Sequence, residues 1–241
     1  MNPMLSIIIP AYNEADRLPR CLDSLSHFCQ AQSYPIEVLI VENGSTDNTY
    51  EIANQFSKES PNFRVIREQQ RGKGLAVKRG MLESNSPYRL FTDVDLSIPI
   101  EETIKFLPPY SDVDIAIASR ELPGSHRYGE PWKRHLMSRV FNLIVNLIIL
   151  PGIKDTQCGF KCFKGKVADD LFPYLTLDGW SFDVELLYIA RLRGYHIIEI
   201  PVSCYYQEGS KISSIKDSFK MLNDILTIRN NARLGKYRKV L

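Results

Sequence analysis

Short apolar runs punctuate the first half of the chain, each followed by a polar cluster. Residues 5–10 read LSIIIP and residues 36–41 read IEVLIV. Continuous apolar runs of this length, rich in Ile and Val and closed by turn residues, predict strands buried on both faces of a parallel sheet. Residues 63–67, 88–92 and 113–118 continue the series. Between them the spacing predicts helices over 14–28, 50–56 and 74–84, the second opened by the turn-and-cap cluster at 42–47. Strands alternating with helices predict an α/β fold with a mostly parallel central sheet flanked by helices.

The second half is less regular. Residues 134–150 predict a long helix, 160–163 a strand, and 182–192 a helix stopped by Gly194. Residues 196–200 and 202–206 read as extended. A final amphipathic helix is predicted over 214–229, with Ile215, Phe219, Leu222, Ile225 and Leu226 on its apolar face.

Ligands of parallel sheets bind beyond the carboxyl ends of the strands. Four polar clusters fall there: Tyr12-Asn13-Glu14, Glu42-Asn43-Gly44-Ser45, Asp93-Val94-Asp95 and Ser119-Arg120. Asp93 and Asp95 lie two apart after an extended run, so both carboxylates can face one spot. Mg²⁺ takes one or two carboxylates plus substrate phosphates, so the pair reads as a site for a metal-bound diphosphate. The competing reading is turn or cap chemistry, since Pro99 and Glu101-Glu102 announce a helix start nearby.

Composition sharpens this picture in a few places. The 241 residues suit one large α/β domain or two small ones, and 44% hydrophobic with 24% charged residues describes a globular chain. A net charge of +2 argues against a nucleic-acid binder. After Asp224 the tail carries Arg229, Arg233, Lys236, Arg238 and Lys239 and no acid, which suits either anionic lipid or plain solvent. Five cysteines, an odd count, without a signal peptide favour a reducing, cytoplasmic setting. Cys158 and Cys162 lack a second pair for zinc. Residues 140–150 are too few to span a bilayer. They read as a buried core helix or as one resting in the membrane interface, with Lys133, Arg134 and Arg139 as its basic flank.

Taken in order, Pro10-Ala11-Tyr12-Asn13-Glu14, Glu42 to Asp47, Arg71-Gly72-Lys73-Gly74 and Asp93-Val94-Asp95 resemble the motifs of family 2 glycosyltransferases with the GT-A fold. Ala118-Ser119-Arg120, Asp155 to Lys161, Phe182-Asp183-Val184-Glu185 and Gly209-Ser210-Lys211-Ile212 are similar to the dolichyl-phosphate glucosyltransferase and mannosyltransferase branch. The resemblance covers nearly the whole chain. It implies a single GT-A domain over 1–241, with a nucleotide-binding half at 1–120 and an acceptor-binding half at 121–241.

The resemblance also implies roles. Pro10, Tyr12 and Glu14 would line the base and ribose pocket, and Asn43 would contact the nucleobase. Glu42-Asn43 stands where the family has Asp-Asp, which trades an acceptor-only carboxylate for an amide that donates as well. Lys73, Asp93, Val94 and Lys211 would bind the nucleotide sugar, Lys211 from a loop that closes over the diphosphate with Gly209 as hinge. Asp93 and Asp95 would hold Mg²⁺ or Mn²⁺. Arg120 and Lys211 would add fixed positive charge at the phosphates. Arg134 and Ser138, one helical turn apart, would bind the phosphate of a lipid acceptor, with Arg127 and Arg139 as helpers.

A phosphate acceptor is already largely dianionic at neutral pH and needs no general base, whereas a sugar hydroxyl does. Three readings follow. The first is an inverting transferase that moves a sugar, glucose from UDP-glucose, onto a polyprenyl phosphate, with a GDP-mannose-dependent enzyme as its variant. In the second the acceptor is a glycan hydroxyl, and Asp155 or Glu185 is the base. The third is a nucleotide-sugar binding module without turnover. In the first reading the protein is cytoplasmic, and peripheral contact with the membrane face is open.

Overall fold

The structure is a computed structural model that describes residues 2–207 and 216–238. Nine strands and seven α-helices are described, in the order β1 (Leu5–Ala11), α1 (Leu18–Ala31), β2 (Ile36–Glu42), α2 (Thr49–Glu59), β3 (Phe63–Arg67), α3 (Lys73–Glu83), β4 (Tyr88–Thr92), β5 (Ile115–Ser119), β6 (His126–Tyr128), α4 (Trp132–Ile148), β7 (Phe160–Lys164), α5 (Gly165–Leu171), α6 (Phe182–Leu192), β8 (Ile197–Pro201), β9 (Ser203–Tyr205) and α7 (Lys216–Arg233). A 3-10 helix, Ile100–Phe106, links β4 to β5.

Seven strands form one sheet in the order β3-β2-β1-β4-β7-β5-β8. All neighbours run parallel except β7, which pairs antiparallel with both β4 and β5. The sheet is buried on two sides, as its continuous apolar runs require. One core packs Ile8, Leu39, Phe91 and Phe163 under α3, α5 and α6. The other packs Ile7, Ile9, Leu90 and Phe160 under α1 and the 3-10 helix. Alternate residues of β1 thus serve opposite cores, which is the period of two expected of a strand. The strand order reverses at β1 and β4, where such sheets open a crevice for a ligand.

Two predicted elements differ. Helix α1 begins at Leu18 rather than residue 14, because Asn13, Glu14 and Ala15 give their backbone N–H groups to Ser45 Oγ, Thr49 Oγ1 and Asp47 Oδ2 at 3.0, 2.7 and 3.1 Å. Helix α4 is not a plain core helix. Asn142 and Val145 are buried, yet Leu136, Met137, Val140, Leu143 and Leu147 are exposed. The start of the predicted last helix, Ser214 and Ile215, lies outside the described residues, as do Gly209, Ser210, Lys211 and Ile212. Among the described residues no helix is long and apolar enough to cross a membrane.

Candidate active site

The first two strand ends are stitched together by side chains. Asn13 sits in the left-handed region at φ 50°, and its Oδ1 accepts from the Thr46 N–H at 2.8 Å. Glu42 Oε1 accepts from the Ser45 N–H at 2.5 Å, and its other oxygen meets Arg67 at 3.3 Å. Glu42 is therefore a loop brace. Asn43 beside it is 3% exposed, and its Oδ1 meets no donor among the described residues. Half-buried Tyr12 lies under the Arg71 guanidinium, 4.3 Å from the ring centre. Glu14 forms a two-point pair with Arg17 at 2.7 and 2.8 Å. Pro10, at the last turn of the β1 run, is half-buried.

The acidic pair stands in a strained turn after β4. Leu96 adopts φ 43°, a conformation that costs a non-glycine residue energy and that clusters at working sites. It lets Asp95 Oδ1 accept from the Ser97 N–H at 3.0 Å, while Val94 between the acids is buried in the core. Burial pushes the Asp95 carboxyl above its ordinary value, and the Asp93 charge pushes it further. Lys73, from the start of α3, reaches Asp93 Oδ1 at 2.6 Å and lies 5.4 Å from the Trp180 ring centre. Burial works against the Lys73 ammonium, but Asp93, Asp183 and Asp95 together hold its pKa above the usual lysine value.

Two glycine contacts make this corner compact. A Cβ on Gly159 would stand 2.3 Å from Asp93 Oδ2, so any other residue there moves the carboxylate. The Gly74 N–H donates to the Asp178 carbonyl at 2.8 Å, and a Cβ on Gly72 or Gly74 would hit the backbone at 177–178. The glycines of Arg71-Gly72-Lys73-Gly74 thus admit the 177–178 segment.

Cations gather at the next strand end. A cleft is lined by Asp95, Ser97, Arg120, Arg127, Glu130, Arg134 and Tyr206, among others. Arg120 is gripped by Asp155, Nε to Oδ2 at 2.7 Å and Nη2 to Oδ1 at 2.9 Å. Burial alone would lift the Asp155 carboxyl, but Arg120 holds it below the usual carboxylate range. Arg127 is paired with Glu121 at 2.5 Å and with Glu130. Arg134 on the first turn of α4 sits 3.9 Å from Glu130 and 5.3 Å from the Tyr206 ring centre. Ser138, one turn further, is half-buried and is not part of the cleft lining. Arg139 reaches Glu121 at 4.0 Å.

The structure thus brings Asp95, Arg120 and Arg134 around one cleft, sets Lys73 against Asp93, and keeps Ser138 apart from the cleft. Asp155 and Glu185 are fully committed within the fold. Glu185 is buried and accepts from the Thr176 and Leu177 N–H groups at 2.9 and 2.8 Å and from Tyr237 at 2.6 Å. Residues not singled out from the sequence are Trp180, Glu121 and Glu130, while Gly159 was noted only within the Asp155–Lys161 motif and without a role. Of the first three, only Glu121, next to Arg120, carried any signal.

A mostly parallel sheet with its acidic turn at the crevice defines the GT-A class of glycosyltransferases. The chain belongs to the family described as "Glycosyl transferase family 2", whose model matches residues 6–172. It is 36% identical to a dolichyl-phosphate beta-glucosyltransferase of Dictyostelium discoideum over 97% of this chain and 76% of the relative. It is 34% identical to the human protein of that name over 97% of this chain and 77% of the relative. In fold it is similar to glucosyl-3-phosphoglycerate synthase from Mycobacterium tuberculosis in complex with Mn²⁺, UDP-glucose and phosphoglyceric acid, with a TM-score of 0.68 at 16% identity, covering 95% of this chain and 80% of that one. A further structure of that synthase holds Mg²⁺ and UDP, with a TM-score of 0.67, 16% identity, and 94% of this chain and 79% of that one covered.

Proposed function

We propose that this protein transfers glucose from UDP-glucose onto a polyprenyl phosphate of the dolichyl-phosphate kind, with inversion at the anomeric carbon. One observation carries the reading. Three guanidinium groups, from Arg120, Arg127 and Arg134, line the cleft beside Asp95, while the two acids considered as bases are spent elsewhere. Such a cleft suits an acceptor that arrives as an anion and needs no deprotonation. The shared name of the relatives supports both the sugar and the acceptor.

On this reading a single domain divides its labour. Residues 1–120 bind the nucleotide, with Pro10, Tyr12 and Glu14 at the base and ribose. The buried Asn43 Oδ1, without a partner among the described residues, would accept from a base N–H. Lys73, Asp93, Val94 and Lys211 belong to the diphosphate and sugar. Asp93 and Asp95 fit a divalent cation by their donor chemistry, since burial and mutual repulsion leave Asp95 short of positive charge. Bound there, Mg²⁺ or Mn²⁺ would supply neutralisation of charge on the departing diphosphate. Residues 121–241 receive the acceptor, with Arg134 assigned to its phosphate and Arg127 beside it, while Ser138, off the cleft lining, takes no part in that contact.

Arg120 is held flat by Asp155, so its charge is fixed before substrate arrives and costs no reorganisation during transfer. Arg127 and Arg134 offset the repulsion between an anionic acceptor and an anionic donor, which lets the phosphate oxygen approach the anomeric carbon from the face opposite the leaving group. A glycan hydroxyl acceptor would need a free carboxylate within reach, and neither Asp155 nor Glu185 supplies one.

The test is incubation of purified protein with labelled UDP-glucose or GDP-mannose, a polyprenyl phosphate or a soluble glycan, with Mg²⁺ or a chelator. Glucose in the lipid fraction as the β-anomer, lost on chelation, is the expected result. Transfer only to glycan, or only from GDP-mannose, would overturn the proposal.

A further inference from the structure

One ion pair lies in the core beneath the acidic turn and has been given no part in the chemistry. Lys161, on β7, is fully buried, and its Nζ donates to Asp183 Oδ1 at 2.6 Å. Asp183, in the first turn of α6, is buried as well. Charged residues go this deep only when paired. Even then the pair adds little stability, because apolar side chains of similar volume fill a core as well or better. A role other than stability accounts for its presence.

That role lies in what the pair joins. Lys161 Nζ also donates to the Cys158 carbonyl at 2.6 Å, so one ammonium ties the chain at 158 to the chain at 183. The next residue after 158 is Gly159, which abuts the Asp93 carboxylate. The residue before 183 is Phe182, which abuts Gly74: a Cβ there would stand 2.8 Å from the Phe182 Cβ. Gly74 adjoins Lys73, whose ammonium meets Asp93 Oδ1 at 2.6 Å. The ties from Lys161 therefore run one way to Asp93 and the other way to Lys73. A third holds the strand that leads to Asp93, since Lys161 pairs in register with Phe91 and its Nζ lies 5.5 Å from that ring centre. The Asp183 charge also acts directly on the Lys73 ammonium.

We infer that Lys161 and Asp183 are positioning residues of the donor site: their pair fixes the spacing between Lys73 and Asp93, and with it the place where the diphosphate of the nucleotide sugar and its divalent cation are held. Both are buried, so they act through the chain they hold rather than on the donor. Lys161 works through residues 158–159, and Asp183 through residue 182 and through its charge. An apolar pair would fill the same volume but give the Cys158 carbonyl no donor, and the two flanks of the corner would settle independently. The inference rests on the transferase reading for the identity of the donor.

The experiment compares the full wild-type chain with the double variant Lys161→Met, Asp183→Leu, which removes both charges together and keeps the bulk. Calorimetric titration with UDP in the presence of Mg²⁺ is expected to show binding weakened about tenfold to a hundredfold, the usual loss when a group that orients a metal ligand is removed. The melting temperature of the ligand-free variant should stay close to that of wild type, because no unpaired charge is left in the core. The KM for the acceptor should stay within about twofold, since neither residue touches the setting of Arg134. Equal UDP binding by the two proteins would overturn the inference. So would a double variant that melts far below wild type, because the pair would then serve the core rather than the corner, and so would equal losses for donor and acceptor. Wild-type protein that binds UDP more tightly than the variant yet transfers no sugar would leave the inference standing and remove the transferase reading instead.

Discussion

Arg120 and Asp155 are joined at three points: the guanidinium grips both carboxylate oxygens, and the Arg120 N–H donates to Oδ2 at 3.0 Å. Asp155 is fully buried and the Arg120 side chain is 19% exposed, so the carboxylate depends on the guanidinium for its solvation. Asp155→Asn should destabilise the fold by about 3 kcal/mol, because it leaves a buried cation without its anion. Since Arg120 holds the Asp155 pKa below the ordinary value, the pair's contribution is present above that ordinary value and is lost as pH falls through the depressed one. Thermal denaturation from neutral pH downward checks both statements. An Asn variant as stable as wild type at neutral pH would show that the pair is dispensable.

Gly159 and Asp93 are the tightest contact at the acidic turn. Gly159→Ala places a methyl group where Asp93 Oδ2 now lies, and the carboxylate is the part that can move. Its partner Lys73 is held in place by the Asp178 contact at the start of α3. Displacement of Asp93 by about an ångström should cost about a hundredfold in kcat/KM with little change in melting temperature. Transfer assays beside a thermal melt would decide. Full activity in the Ala variant would free Asp93 from its assigned role.

How much of this was legible in the chain differs by element. Strands β3 and β4 begin and end where their apolar runs do, because turn residues bound them on both sides. The direction of β7 was not legible: Phe160–Lys164 reads as a strand either way, and only its pairing with β4 and β5 shows that it runs antiparallel. The short strand β6 and helix α5 carry too few residues for a period to show. Asp93 and Asp95 stood out by their spacing, and Arg120 by its place at the end of a predicted strand and by the family resemblance. Asp155 and Gly159 act across 35 and 66 residues of chain, a relation that only folding creates. Helix α4 was legible as a helix, but the buried and the outward-facing readings of its apolar residues both stayed open, since periodicity gives a face without saying which way it turns.

Asp95 carries a raised pKa from burial and from Asp93, so its ionised form is penalised in the folded protein. Stability therefore falls as pH rises from the ordinary carboxylate value through the raised one. Asp95→Asn removes that penalty while keeping an acceptor for the Ser97 N–H. The variant should be more stable than wild type at neutral pH, with the gap closing in acid, and should lose at least about a hundredfold in turnover. Added Mg²⁺ with UDP should raise the wild-type melting temperature and leave that of the variant unmoved. A variant less stable than wild type at neutral pH would contradict the electrostatic reading.

Of the three cations that line the cleft, Arg134 is the one whose pairing is loosest. Its Nε lies 3.9 Å from Glu130, whereas Arg127 is tied to Glu121 and Glu130 and Arg120 to Asp155. A guanidinium that is 44% exposed and weakly held can turn toward an incoming phosphate without first breaking a strong pair. Hydrogen bonds to a charged partner contribute about 1.5–3 kcal/mol, so Arg134→Ala should raise the acceptor KM by about tenfold to a hundredfold. The donor KM should stay within about twofold, because Arg134 meets Glu130 and Tyr206 and none of the described residues assigned to the nucleotide. Arg134→Lys should recover only part of the loss, since a point charge replaces a planar two-point donor. Steady-state kinetics with each substrate varied in turn separates the two constants. Equal rises in both would place Arg134 in the general field of the cleft rather than at the acceptor phosphate.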